Sequence, residues 1–200
     1  MKTSKLRVVI NPGHGPRGGD PGAGREGVWE ADIVRAIALE MKKLPTPKGV
    51  RIEYKRQPKQ GKDGLSALGI LCQTLRRNKP DVLISLHLNS TREKETRASY
   101  CLIIRPAPER VPHKVWVNSG LLANLVSVEL SAAGLFKGCQ RWDRGLAILR
   151  RTAKSAAVLV ELGFINNPSQ RAKMLTSTWR KQVARAILKA VGEYAKEEST

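Results

Sequence analysis

Two of this chain's three histidines close apolar runs. Val8-Val9-Ile10 leads through Asn11-Pro12-Gly13 into His14-Gly15, and Val82-Leu83-Ile84-Ser85-Leu86 runs straight into His87. Two carboxylates hold comparable places: Glu30 opens a helical pattern, and Glu161 ends Ala157-Val158-Leu159-Val160. In an open α/β sheet the strand ends converge on one edge, where ligands bind. Two imidazoles and a carboxylate on such an edge make a three-ligand set for zinc, with the fourth position left to water. The metal acidifies that water and polarises a scissile carbonyl, and a second carboxylate carries the proton to the leaving group. His14, Glu30 and His87 are therefore the candidate metal ligands and Glu161 the candidate acid/base. Mixed nitrogen and oxygen ligation suits one zinc ion.

Each residue also has a plainer reading. A histidine at a strand end is more often a structural hydrogen-bonding group, and Glu30 could simply serve the positive end of a helix dipole. Glu161 resists such a reading, because it sits between Val160 and Leu162-Gly163-Phe164, and burying a carboxylate is costly unless it is paired or functional. The convergence of these oddities on one edge favours the joint reading. His113, in Pro112-His113-Lys114, is expected at the surface and outside the site. H-E-x-x-H is absent, Arg17 breaks the H-x-x-E spacing after His14, and neither a G-x-S-x-G elbow nor a P-loop is present.

The elements that must position these residues are short. Strands are expected at 6–10, 50–56, 82–87, 99–105, 146–149 and 157–161. Between them Val34, Ile37, Ala38 and Met41, then Leu68, Leu71, Cys72 and Leu75, keep a 3.6-residue period. Leu122, Leu125 and Val126 open a third helix that Gly134 ends. Asn167-Pro168 reads as a cap with proline at the first helical position, and Val183, Ile187, Val191 and Tyr194 face the core from the last helix. The alternation predicts a single α/β domain over residues 1–200: a twisted, mostly parallel sheet of about six strands with helices on both faces. Residues 12–27 and 88–98 are expected as loops at the same edge, and a long loop after a first strand is commonly functional.

Charge is the other strong signal. Lys and Arg number 36 against 17 acidic residues, a net +19, where small soluble domains usually carry roughly 2–8. Such a field attracts polyanions. Nucleic acid is not the expected partner, because 4% aromatic content leaves few stacking platforms. A cationic binding module without catalysis remains the alternative to an enzyme. Cys72, Cys101 and Cys139 form no CxxC pair and are expected as core thiols. The start, Met1 to Arg7, is charged but leads into no signal-length apolar run, and no membrane span is expected. A monomer made in the cytoplasm is the expectation.

Four segments match a known family. They are Val9-Ile10-Asn11-Pro12-Gly13-His14-Gly15 with Gly19-Asp20-Pro21-Gly22-Ala23 and Glu30; Leu83-Ile84-Ser85-Leu86-His87-Leu88-Asn89-Ser90; Asp143-Arg144-Gly145-Leu146 with Leu149-Arg150; and Val158-Leu159-Val160-Glu161-Leu162-Gly163-Phe164-Ile165-Asn166-Asn167-Pro168. The chain resembles the zinc-dependent N-acetylmuramoyl-L-alanine amidases called amidase 3. The resemblance implies one zinc ion on His14, Glu30 and His87, Glu161 as the catalytic glutamate, and a substrate contact at Asn89. It implies cleavage of the amide between N-acetylmuramic acid and L-alanine in peptidoglycan, with anionic envelope polymers as further partners by charge. The family usually has an Asp or similar residue where Asn11-Pro12 stands, a small residue at Leu88, and a proline near Ala153-Lys154-Ser155-Ala156. Leu88 is expected to narrow the site. The charge and the want of a visible leader or wall-binding module point to a bacteriolytic phage endolysin, with a host enzyme of cell separation or sporulation as the alternative.

Overall fold

The computed structural model describes residues 5–136, 138–151 and 154–198. Readings that rest on residues 1–4 or on Ala153 lie outside the described residues. Strand β1 (Leu6–Pro12) leads into a small hairpin, β2 (Gly24–Arg25) and β3 (Val28–Trp29), then α1 (Glu30–Lys43) and β4 (Val50–Tyr54). Next come α2 (Ala67–Asn78), β5 (Val82–Asn89), β6 (Cys101–Pro106) and α3 (His113–Ala132). The chain continues through β7 (Cys139–Arg144), α4 (Ala147–Arg150), β8 (Ala156–Phe164), α5 (Pro168–Met174) and α6 (Ser177–Glu197).

Six strands form one sheet in the order β4-β1-β5-β8-β6-β7. The first four are mutually parallel; β6 runs antiparallel to β8, and β7 follows β6. The expected single α/β domain is thus present, with its sheet mostly parallel. The apolar runs reflect burial on both faces. Val82, Ile84 and Leu86 of β5 and Val158, Val160 and Leu162 of β8 join the core built with α1, α3 and α6. Their neighbours Leu83, Ala157 and Leu159 join a second core with Leu71, Cys72 and Leu75 of α2 and Ile148 and Leu149 of α4.

Most helix signals hold. Asn167 caps α5 by accepting from Gln170 N, with Pro168 at the first position, and Gly134 follows α3 at φ +64°. Three expectations are corrected. Residues 146–149 are not a strand: Ile148 and Leu149 are buried by the single turn of α4. The sixth strand is β7, whose sequence Cys-Gln-Arg-Trp-Asp-Arg is mostly exposed; an edge strand has no need of an apolar run. Helix α3 begins at His113, well before Leu122, because its first turns bury only Ser119 and no large apolar side chain. Leu68 in turn is 37% exposed, off the buried stripe of α2.

Candidate active site

β1, β5 and β8 are adjacent and parallel, so their carboxyl ends lie side by side. His14 follows β1 by two residues, and His87 and Glu161 are register partners on β5 and β8. Glu30 is the first residue of α1 and is 3% exposed. The loop and hairpin between β1 and α1 return the chain to the same edge. Two glycines make room for this. A Cβ on Gly13 would collide with the His87 ring, and one on Gly22, at φ +72°, would lie 2.6 Å from Glu30 Oε2.

One carboxylate oxygen organises the centre. Glu30 Oε1 lies 3.1 Å from His14 Nε2 and 2.9 Å from His87 Nδ1, and it accepts from Leu88 N at 2.9 Å. Its Oε2 accepts from Ala23 N at 3.0 Å. The imidazoles meet edge to face with centroids 4.9 Å apart. One ligand atom from each of His14, Glu30 and His87 falls within 4.8 Å of the others. These are the nitrogen and oxygen donors that zinc takes, presented together at a partly open edge, and they fit such an ion.

His14 stands at φ +62°, a left-handed conformation that costs a non-glycine residue on the order of 1 kcal/mol or more. The strain aims Nε2 at Glu30 while Nδ1 lies 2.9 Å from Asp20 Oδ2. Asp20 is fixed in turn by Gly22 N at 3.1 Å and Gln57 Nε2 at 3.3 Å. A carboxylate on the far nitrogen sets the tautomer and orientation of a ligating histidine. Sequence reading included Asp20 in the loop motif but gave it no role. The available signal was a carboxylate among glycines and prolines six residues after His14.

Electrostatics follow from these contacts. Burial pulls the His14 pKa down, but hydrogen bonds and charge from Glu30 and Asp20 outweigh it and raise it to about 9. Burial works against ionised Glu30, yet the two imidazoles hold its pKa down to about 2. Asp20 is also lowered, because the His14 and Gly22 hydrogen bonds overcome its burial. The metal-free site therefore holds a proton that an incoming cation must displace.

Glu161 is different. Its Oε2 is buried without a hydrogen-bond partner, and burial, reinforced by the Glu30 charge and opposed by the histidines, raises its pKa to about 7. A carboxylate so placed is poised to take up and give back a proton near neutrality. Asn89 ends β5 opposite Phe164, past an irregularity in the register, and its Oδ1 accepts from Ser90 N at 2.8 Å. His113 is exposed at the start of α3, away from this edge, as expected. Leu88 does not narrow the site: it is 3% exposed and packs into the core under α1, giving the centre only its backbone N–H. Asp20→Ala is expected to weaken metal affinity by about 10- to 100-fold with the fold intact, as read by competition with a chromogenic chelator.

An open α/β sheet with a His–Glu–His centre at its strand carboxyl ends, and a buried carboxylate beside it, defines a metal-dependent hydrolase. Residues 8–193 match the family model of the amidase 3 type, N-acetylmuramoyl-L-alanine amidase. The chain belongs to that family. It is 27% identical over 197 residues to an uncharacterised cell wall amidase of Bacillus anthracis, covering 94% of this chain but only 35% of that protein. It is 21% identical over 201 residues to the germination-specific N-acetylmuramoyl-L-alanine amidase of Bacillus subtilis, covering 96% of this chain and 80% of the other. The fold resembles the crystal structure of an N-acetylmuramoyl-L-alanine amidase from Clostridium difficile 630, with a TM-score of 0.82 at 23% identity over 98% of this chain and 99% of the other.

Proposed function

We propose that the protein is a zinc-dependent hydrolase that cleaves the amide between N-acetylmuramic acid and L-alanine in peptidoglycan, with His14, Glu30 and His87 as ligands and Glu161 as acid/base. Family membership supports the bond. The observation that carries the chemistry is the buried, unpartnered Glu161 Oε2 on the strand next to the one that bears His87.

His14, Glu30 and His87 would hold the zinc ion, which would supply Lewis acidity to a bound water and to the scissile carbonyl. Glu161 accepts the proton of the attacking water and delivers it to the departing L-alanine nitrogen. Ionised Glu30 balances cationic charge at the centre, and the Leu88 and Ala23 N–H groups hold its carboxylate still. Asp20 keeps His14 presented through Nε2. Asn89 contacts the substrate from the end of β5. Digestion of purified peptidoglycan should create new L-alanine amino termini, detected by mass spectrometry; cleavage within the stem peptide or the glycan would refute the reading.

The proposed role is lysis of bacterial cells by a phage enzyme, with the domain itself held to the wall by charge. The net +19 supports this, since stem-peptide carboxylates and anionic envelope polymers both attract a cationic surface. Between about 0.1 M and 1 M salt the screening length falls from roughly 10 Å to 3 Å, so pull-down on purified walls is expected to drop sharply over that range. Wall binding that persists at high salt would contradict attachment by charge. A host role is the second reading, favoured by the likeness to a germination-specific amidase. No described helix is long and apolar enough to cross a membrane.

A further inference from the structure

We propose that Cys101 and Cys139 are a redox-active thiol pair that closes an intramolecular disulfide between β6 and β7, with Cys139 as the attacking residue. The two are register partners on adjacent parallel strands, tied by Cys101 N donating to Gly138 O at 2.9 Å. Neighbouring strands lie about 4.7–4.9 Å apart, within the roughly 4.4–6.8 Å Cα separation that a disulfide spans. Both side chains lie on the α3 side of the sheet, packed with the core that includes Leu122, Val126 and Leu130.

Their surroundings divide the roles. Cys101 is fully buried, whereas Cys139 is partly exposed. The Ser131 hydroxyl donates to the Cys139 sulfur at 3.6 Å, and the Cys101 thiol and the Ser127 hydroxyl lie beside it. Donors converging on one sulfur stabilise its thiolate. Neighbouring Cys101 and the two serines bring the Cys139 pKa down to about 6 against its burial, while burial pushes Cys101 well up. An accessible thiolate beside a buried resolving thiol is the arrangement of a reversible redox pair. Cys72 lies on the opposite face of the sheet under α2 and cannot compete.

The oxidant is a small disulfide such as oxidised glutathione. Cys139 thiolate attacks one of its sulfurs; the S–S bond breaks, one glutathione thiolate leaves and a mixed disulfide remains. Cys101 then gives up its proton to that thiolate and attacks the Cys139 sulfur, expelling the second glutathione. Two protein thiols are oxidised and one disulfide is reduced to two thiols. The new bond fastens β7, an edge strand that among the described residues pairs only with β6, and encloses α3 in a covalent loop. Disulfides form and persist in oxidising surroundings outside the cytoplasm, where the proposed role on the wall would place the enzyme.

The folded, reduced protein is equilibrated with oxidised glutathione and mapped by non-reducing peptide mass spectrometry. The wild type is expected to lose two hydrogens in mass, to link the Cys101 and Cys139 peptides and to keep Cys72 free. Its Tm is expected to rise by about 5–10 °C. Cys101→Ser should stop at a glutathione adduct on Cys139, and Cys139→Ser should not react. A wild type that stops at the adduct, keeps all three thiols free, or links Cys72 would overturn the pair.

Discussion

Glu161→Gln is expected to lower turnover by about 10³-fold while the protein still binds one zinc ion. Glutamine matches the shape of the side chain but cannot accept a proton from water. Glu161 touches none of the three ligands through a hydrogen bond, and its Oε2 has no partner to lose, so the metal centre has no reason to rearrange. The same substitution should stabilise the metal-free protein. Burial raises the folded-state pKa from 4.5 to about 7, so the folded protein binds this proton more tightly than the unfolded chain. Stability is therefore lost as pH rises from about 4.5 through 7 and stays lost above. At pH 8 the penalty is on the order of 2–3 kcal/mol, and removing the charge should raise the Tm of the apoprotein, with a smaller effect near pH 5. Thermal unfolding at both pH values checks this; a variant that loses stability and activity together would point to a structural role.

Glu30→Ala should also abolish activity, but with opposite effects on metal binding and on stability. It removes the oxygen that both histidines address and leaves the Leu88 and Ala23 N–H groups without their acceptor. Zinc and activity should disappear together. Stability should fall as well, because removing one member of a buried ionic cluster costs about 3–5 kcal/mol. The Glu30 contribution is present above pH 4.5 and is lost as pH falls towards its folded pKa of about 2, so the destabilisation should be full at neutral pH and shrink in strong acid. Metal analysis and thermal unfolding at pH 7 check both parts. Glu161→Gln and Glu30→Ala thus separate proton transfer from metal binding by opposite signs in apoprotein stability.

Much of this centre is legible in the chain because β5 and β8 are covered on both faces. Such strands must be apolar throughout, so a histidine or glutamate at their ends stands out, and in-register pairing then sets His87 beside Glu161. Helix stripes are legible for the same reason: Val34, Ile37 and Met41 face the sheet from α1. β7 is invisible to that logic, since its residues meet solvent along an edge, and its apolar neighbours Ile148 and Leu149 suggest a strand where a helical turn buries them. Asp20 escapes because its importance is a distance to His14 Nδ1, set by a loop with no periodicity. Leu88 misleads because alternation along β5 sends it to the face opposite His87. The Cys101–Cys139 pairing depends on the register of β7, the strand the apolar pattern does not reveal.

The most direct measurement is a zinc titration of the apoprotein against purified peptidoglycan, counting new L-alanine amino termini. Activity should be absent without metal, rise in proportion to zinc and level off at one equivalent, with the same zinc uptake but no new termini for Glu161→Gln. Cleavage by the metal-free protein, a plateau that needs a second equivalent, or new ends at any other bond would contradict a single-zinc amidase built on His14, Glu30, His87 and Glu161.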